Sequence, residues 1–232
     1  MGFLFTRLTR YILVAYILYA AANWVLRTKS YEISPKQFKT FAAQAAEPNG
    51  DPRAAVNKLV SSLAKTYPVT ILRNAEWHPV QLGNHDVQLY PLYLTFTEFA
   101  VVIASPAGST GRIGFQWSNT SCTVLTGSVT RFRDAAVLEN SETTKPKGNF
   151  RHGQFESFVY SLEPTTTIAC YGRGIVPVSG LWITTSSIAR GEPISLAKLS
   201  STYIQSIYHQ WSMYLFQIFN HYKARATGKP EL

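Results

Sequence analysis

A β-rich middle set between an apolar N-terminal helix and an apolar C-terminal helix pair is the architecture this chain predicts, in the class of mainly β folds with added α. Three observations carry it. From Tyr11 to Leu26 the chain reads YILVAYILYAAANWVL, without a charge. Between about Val69 and Tyr171, short runs rich in β-branched and aromatic residues are punctuated by glycine and proline. After Pro177, apolar residues recur every three or four positions.

The N-terminal run falls short of the roughly 20 apolar residues of an ordinary span. Arg7 and Arg10 before it and Arg27 and Lys29 after it can snorkel, however, and Tyr11 and Trp24 suit the membrane interface. Residues 1–30 are therefore expected to form a retained single-pass membrane helix, with a helix packed on other protein as the plain alternative. Two bases on each side leave the sidedness open. No acid precedes Glu32, a property shared with mitochondrial targeting segments.

Residues 31–68 read as a helical lead-in. Ser34, Pro35 and Gln37 make a helix start, with a cap hydroxyl, a proline in the first turn and Gln three residues after the cap. Phe38, Phe41, Ala42 and Ala45 then share a face, and Pro48-Asn49-Gly50 closes the helix. Asp51-Pro52 opens a second, with Val56, Leu59, Val60, Leu63 and Tyr67 as its apolar stripe, ending at Pro68.

Residues 69–176 carry the strands. VQLYPLYLTFTEFAVVIA is interrupted by Pro91, the next turn holds Gly108, Gly111 and Gly114, and CTVLTGSVTRF follows. Farther on, Phe158, Tyr160 and Leu162 alternate with smaller or polar residues. Short strands with glycine-rich turns predict a compact sandwich or barrel rather than alternating strand-helix units. Residues 177–223 return to a helical period, first over Val178 to Arg190 and then from Ser195 to Lys223. Leu199, Tyr203, Ile207, Trp211, Tyr214 and Ile218 mark the second helix. A face this broad predicts an amphipathic pair on a bilayer or a neighbouring subunit, or equally on the domain's own strands. Residues 224–232 form a tail.

The 22 Lys and Arg against 13 Asp and Glu leave a net charge of +9, which suits anionic membrane lipids or an acidic partner subunit. Nucleic acid is not an expected partner, because the bases are scattered and no recognition motif accompanies them. Two cysteines cannot build a four-thiolate zinc site. His78, His85, Asp86, His152 and His209 form no short ligand motif, so neither metal nor cofactor is expected.

One stretch is distinctive. Tyr171-Gly172-Arg173-Gly174-Ile175-Val176-Pro177 resembles the Tyr-Gly-Arg-Gly-Val-Ile-Pro of the family that holds the fungal sterol delta-8 to delta-7 isomerase and the animal sigma non-opioid intracellular receptor. His152-Gly153 and Glu156 stand at that family's distance from it, and Thr97-Glu98-Phe99 is similar to its Ser-Glu-Tyr. Gly108, Gly111 and Arg112 match parts of its glycine-rich turn, and Ser121-Cys122-Thr123 takes the place of a Ser-Asp-Thr strand. The resemblance covers roughly Tyr31 to Tyr214. It implies a cupin-like β-barrel holding a ligand, membrane-associated C-terminal helices closing its mouth, and a homotrimer in the endoplasmic reticulum membrane.

The resemblance also implies a departure. The family's pair of buried carboxylates falls on Cys122 and Cys170, the only cysteines of the chain. Moving a sterol double bond requires protonating an alkene and then removing a proton from the carbocation, which two carboxyls sharing one proton can do. A thiol ionises roughly four pH units above a carboxyl, and burial weakens it further. Neither sterol isomerisation nor amine binding is expected in its usual form. Because the family's acids touch, the two cysteines should be neighbours, as a pair of small buried hydrophobes, a disulfide or a reactive pair beside His152.

Glu98 and Glu156 are the fallback catalytic pair, or else acceptors for backbone and for tyrosines in a polar-lined barrel. Tyr93, Glu98, Glu156, Tyr160 and Tyr171 are the ligand-pocket candidates, and Gly172, Arg173 and Gly174 the structural turn. Tyr93 replaces a histidine usual in the family, and Asn84-His85 replaces part of a Gly-Gly-Trp stretch. The expected function is a non-catalytic, membrane-anchored accessory subunit of a larger complex, in the mitochondrial inner membrane rather than the endoplasmic reticulum. The alternatives are a sterol isomerase of divergent mechanism and a sigma-receptor-like protein that binds lipid or sterol.

Overall fold

The structure, a computed structural model, describes residues 2–47, 50–72, 75–133 and 141–227. Pro48 and Asn49 of the expected helix stop, and residues 228–232 of the expected tail, lie outside the described residues. Two compact units divide the chain, Met1–Glu32 and Ile33–Leu232.

The first unit holds α1 (Gly2–Thr28), a helix of 27 residues. Its stretch Arg7–Thr28 is long and apolar enough to cross a membrane, and among the described residues it is the one helix of that kind. Its apolar side chains stay exposed all round, Leu13 at 60% and Tyr16 at 68%, as expected of a segment whose solvent is lipid.

The second unit begins with α2 (Pro35–Ala45) and α3 (Pro52–Thr66). Asp51 caps α3 by accepting a hydrogen bond from the Arg53 N–H at 3.0 Å. Ser34 sits at the cap of α2 but its hydroxyl makes no cap bond. Gln37 instead accepts from the Tyr67 hydroxyl at the end of α3, which ties the two helices together. Phe38, Ala42, Val56, Leu59 and Leu63 bury the shared apolar face.

Ten strands follow in two sheets, and every described pairing is antiparallel. The larger sheet runs, in spatial order, β1 (His78–Leu82), β2 (His85–Leu94), β3 (Glu98–Ser105), β10 (Thr166–Gly174), β5 (Ser118–Thr126) and β8 (Asn149–His152). The smaller runs β4 (Ser109–Arg112), β9 (Val159–Leu162), β6 (Val129–Phe132) and β7 (Glu142–Thr144). β10 is buried along almost its whole length because both faces are covered. Ala100, Val102, Ala169 and Tyr171 face α2 and α3, while Val101, Ile103, Ile168 and Cys170 face the smaller sheet. That split is the two-residue period of a strand. A register shift between Pro91 and Tyr93 sets Leu92 and Tyr93 both on the helix side and returns Leu94 to the interior.

The expected closed cupin-like barrel is not found. No ladder joins the two sheets among the described residues, and the fold is mixed α/β with two separate sheets. The strands that would close it are short, four residues in β4 and β6 and three in β7. Side chains and single bonds bridge the seams instead. Arg131 Nη1 donates to the Arg151 carbonyl at 2.7 Å, and the Asn84 N–H donates to the Arg112 carbonyl at 3.0 Å.

The C-terminal pair, α4 (Val176–Ala189) and α5 (Pro193–Thr227), takes one of the arrangements expected for it, packing on the domain's own strands. Both helices pack on β1 and on each other, and neither is a candidate span among the described residues. Serines and threonines of the two helices make docking bonds. Ser206 donates to the Leu94 carbonyl at 2.7 Å, Thr202 bonds His78 at 3.1 Å, and Ser179 accepts from the Trp117 N–H at 3.2 Å.

Candidate apolar cavity

Between the two sheets, beneath α4 and α5, lies a cavity of about 410 Å³. Its floor is the centre of the larger sheet, where Cys170 on β10 stands directly across from Cys122 on β5. Their sulfurs are bonded to each other, 48 residues apart in sequence. Of the three arrangements open for these cysteines, the structure therefore holds the disulfide, and both residues line the cavity. A bonded sulfur pair carries no ionisable proton, so it can act neither as an acid nor as a nucleophilic thiolate.

The walls are aliphatic and aromatic: Leu89, Val101, Ile103, Phe150 and Ile168 are among the residues that surround the floor. The roof takes Pro177, Gly180 and Ile183 from α4 and Leu199 and Tyr203 from α5. Tyr203 donates to the Thr95 carbonyl at 3.3 Å, and burial pushes its hydroxyl pKa up to about 12. Among the described residues, no Asp, Glu, Lys or Arg lines the space.

Two buried histidines do line it, His85 and His152. His85 Nδ1 is 2.7 Å from the Ser109 hydroxyl, and His152 Nδ1 is 2.9 Å from the Tyr160 hydroxyl. Burial lowers the pKa of both rings, which keeps them neutral near pH 7. Burial likewise raises the Tyr160 pKa. The sequence offers His152 by its family spacing, as a base near the cysteines and among the metal candidates, but not as a pocket residue. The signal was present, since in Asn149-Phe150-Arg151-His152 it shares the inward alternation of Phe150.

Of the five pocket candidates, Tyr160 lines the cavity and the other four do not. Tyr93 and Tyr171 belong to the core on the opposite face, against α2 and α3. Glu98 starts β3 in the same phase as Ala100 and Val102, so it points to that side too. There it accepts from the Ile33 N–H at 3.1 Å and from the Tyr171 hydroxyl. Glu156 lies in the turn after β8 and accepts from the Gly153 N–H at 2.6 Å. The structure thus does not bring Glu98 and Glu156 together, and the fallback catalytic pair has no common site.

Gly172, Arg173 and Gly174 do not form a turn; they are the last residues of β10. Arg173 donates to the Tyr171 hydroxyl at 2.7 Å and to the Ile33 carbonyl at 3.1 Å. The motif is a clasp that fixes the start of the lead-in to the sheet. At Gly174 a Cβ would stand 2.1 Å from the Trp117 carbonyl oxygen, so no larger residue fits there. The metal candidates are dispersed. His78 bonds Thr202, Asp86 pairs with Arg190 at 2.6 Å, and His209 lies 3.2 Å from the Val69 carbonyl. No group of three or more potential ligands gathers among the described residues.

Two antiparallel sheets and a helical roof around an apolar cavity, reached by a chain with one candidate membrane helix, define the class of protein. The chain belongs to the family described as ERG2 and Sigma1 receptor like protein, whose model matches residues 9–210. It is 26% identical to the sigma non-opioid intracellular receptor 1 of Taricha granulosa over 166 residues, 71% of this chain and 72% of that protein. Its likeness to the Xenopus tropicalis protein of the same name is 26% over 66% of this chain and 68% of that one. The C-8 sterol isomerase erg2 of Aspergillus fumigatus is 22% identical over 63% of this chain and 62% of its own length. Among solved structures, KdgF from Halomonas sp. aligns at a TM-score of 0.34 and 15% identity, over 45% of this chain and 94% of that one. That score is too low to carry a closed barrel.

Proposed function

We propose that this chain is a membrane-anchored protein that binds a lipid or sterol in its cavity and does not isomerise it. The carrying observation is a space of about 410 Å³ walled by apolar side chains, with a disulfide where a proton-sharing acid pair would be needed. Sites for small organic ligands commonly measure about 300–1,000 Å³. Protonating an alkene needs a neutral acid aimed at the ring, and no carboxyl faces this space among the described residues. Of the relatives' names, the receptor supports binding without catalysis and the sterol isomerase supports a sterol as the bound molecule.

The test is purification of the full chain in mild detergent, extraction of bound lipid, and incubation with a delta-8 sterol. A stoichiometric lipid with no delta-7 product is the expected result; formation of delta-7 sterol at enzymatic rates overturns it. The accessory-subunit reading remains as the second, favoured by the outward side of α5, where Trp211, Leu215 and Phe219 are exposed. Stoichiometric membrane proteins that co-purify with the chain would favour it; a homotrimer would favour the family assembly. The lipid-binding reading goes with the endoplasmic reticulum membrane and the subunit reading with the mitochondrial inner membrane, a choice that imaging of the tagged chain decides.

A further inference from the structure

We propose that Asn119 is an N-glycosylation site, and that the unit Ile33–Leu232 folds in the lumen of the endoplasmic reticulum. The modification lies on the outer surface and is independent of what the cavity holds.

Two separate observations meet here. The first is the disulfide between Cys122 and Cys170. Stable disulfides persist in oxidising compartments, the endoplasmic reticulum lumen among them, and are rare in the cytosol. A unit held by this bond, in a chain with a candidate membrane-crossing helix near its N-terminus, belongs on the lumenal side. The second is Asn119-Thr120-Ser121, which meets the Asn-x-Ser/Thr acceptor pattern with no proline in the middle. The sequence holds no other such triplet. Three matching residues are common by chance, so their place in the fold decides.

Asn119 is the second residue of β5, and it is exposed. Thr120 and Cys122, one and three residues on, line the cavity. The two-residue period of a strand therefore turns Asn119 to the opposite, outer face of the larger sheet. Farther along that face, Leu125 is buried with α2 and α3. Asn119 Oδ1 accepts from the Gln154 N–H at 3.0 Å. A glycan is joined to the other amide atom, Nδ2, so this bond survives the modification. The sugar would stand in water and clear of the cavity.

A strand residue is a good acceptor only while its strand is unpaired. In the larger sheet β5 lies between β10 and β8. Both neighbours, Thr166–Gly174 and Asn149–His152, follow β5 in the chain and so enter the lumen after it. The triplet is therefore extended and unpaired when it first meets an oligosaccharyl transferase. In the transfer, Asn119 Nδ2 forms a bond to the anomeric carbon of a lipid-linked oligosaccharide. The bond from that carbon to the donor's pyrophosphate oxygen breaks. The pyrophosphate leaves with the bonding pair and takes up the amide proton, and nothing is oxidised or reduced.

The experiment expresses the full chain in eukaryotic cells and treats the isolated membranes with peptide N-glycosidase F. Wild type should run heavier than the unmodified chain and lose that shift on treatment. The peptide that carries position 119 should then show its asparagine converted to aspartate. Asn119→Gln removes the acceptor amide and Ser121→Ala the hydroxyl the pattern requires, so each should lack the shift from the start. Asp86→Thr creates a second acceptor at Asn84, exposed in the turn between β1 and β2, and should add a second shift. Wild type without a glycan overturns the proposal, and Asp86→Thr then tells which half failed. A glycan at Asn84 alone means a lumenal unit in which Asn119 is skipped; none at either means a unit that is not lumenal. In both cases the lipid-binding reading stands, since lipid extraction measures it separately. A variant that fails to fold still reports, because transfer precedes folding.

Discussion

Replacing both cysteines, Cys122→Ala with Cys170→Ala, removes a cross-link between strands that the sheet already holds side by side. The native state therefore keeps its ladder, and the main change is in the unfolded chain, which regains the freedom of a long loop. The bridge joins residues 48 apart; the chain-entropy relation for a loop of that size gives about 4 kcal/mol at 25 °C, and native disulfides commonly give about 2–5. With a guanidinium m-value of about 4 kcal/mol/M, the unfolding midpoint should fall by about 1 M. The assay is guanidinium unfolding of the full chain in non-ionic detergent, followed by circular dichroism, alongside thiol titration of the unreduced, unfolded wild type. No free thiol is expected in the wild type. Two reactive thiols, or an unchanged midpoint in the double variant, would refute the reasoning.

Four further outcomes follow from the geometry. Tyr171→Phe strips a hydroxyl from the buried clasp with Glu98, Ile33 and Arg173, and should cost about 1–3 kcal/mol in the same unfolding assay. Asp51→Ala removes the cap of α3 and should cost about 1 kcal/mol, read from the thermal midpoint. His85 and His152 have native pKa values below their unfolded value of 6.5. The unfolded chain then binds protons first, so stability is full above about pH 6.5 and declines as pH falls below it; urea midpoints between pH 8 and pH 5 should show that sign. At Gly180 on α4 a Cβ would meet no atom within 4 Å. Gly180→Leu should fill the cavity and abolish lipid retention while the thermal midpoint holds or rises, because leucine is the better helix former by about 0.8 kcal/mol.

Much of this architecture is written locally. The uncharged run to Leu26, the caps around Pro35 and Asp51, and the alternation of Phe158, Tyr160 and Leu162 are short-range signals, and each marks an element that forms. The closing of the sheets is not local. It depends on whether β4, β6 and β7 extend far enough to pair across the seams, and three- and four-residue strands do not. The site was half legible for a related reason. Cys122 and Cys170 share a register that the family likeness implied. The inward or outward phase of Glu98 and Tyr93 depends on strand phase and on the bulge after Pro91, neither of which composition reveals. Residues matched by motif were therefore assigned to a pocket from which the pleat turns them away. His85 and His152, which no motif assigned to the pocket, are polar residues that do line it.

The central claim is that a lipid lies in the cavity between the sheets, beneath α4 and against the disulfide. Native mass spectrometry of the full chain released from mild detergent tests it most directly, with wild type and Gly180→Leu measured side by side. One lipid mass per chain in the wild type and none in the variant is the result the account predicts. Equal lipid in both, or none in either, would contradict it.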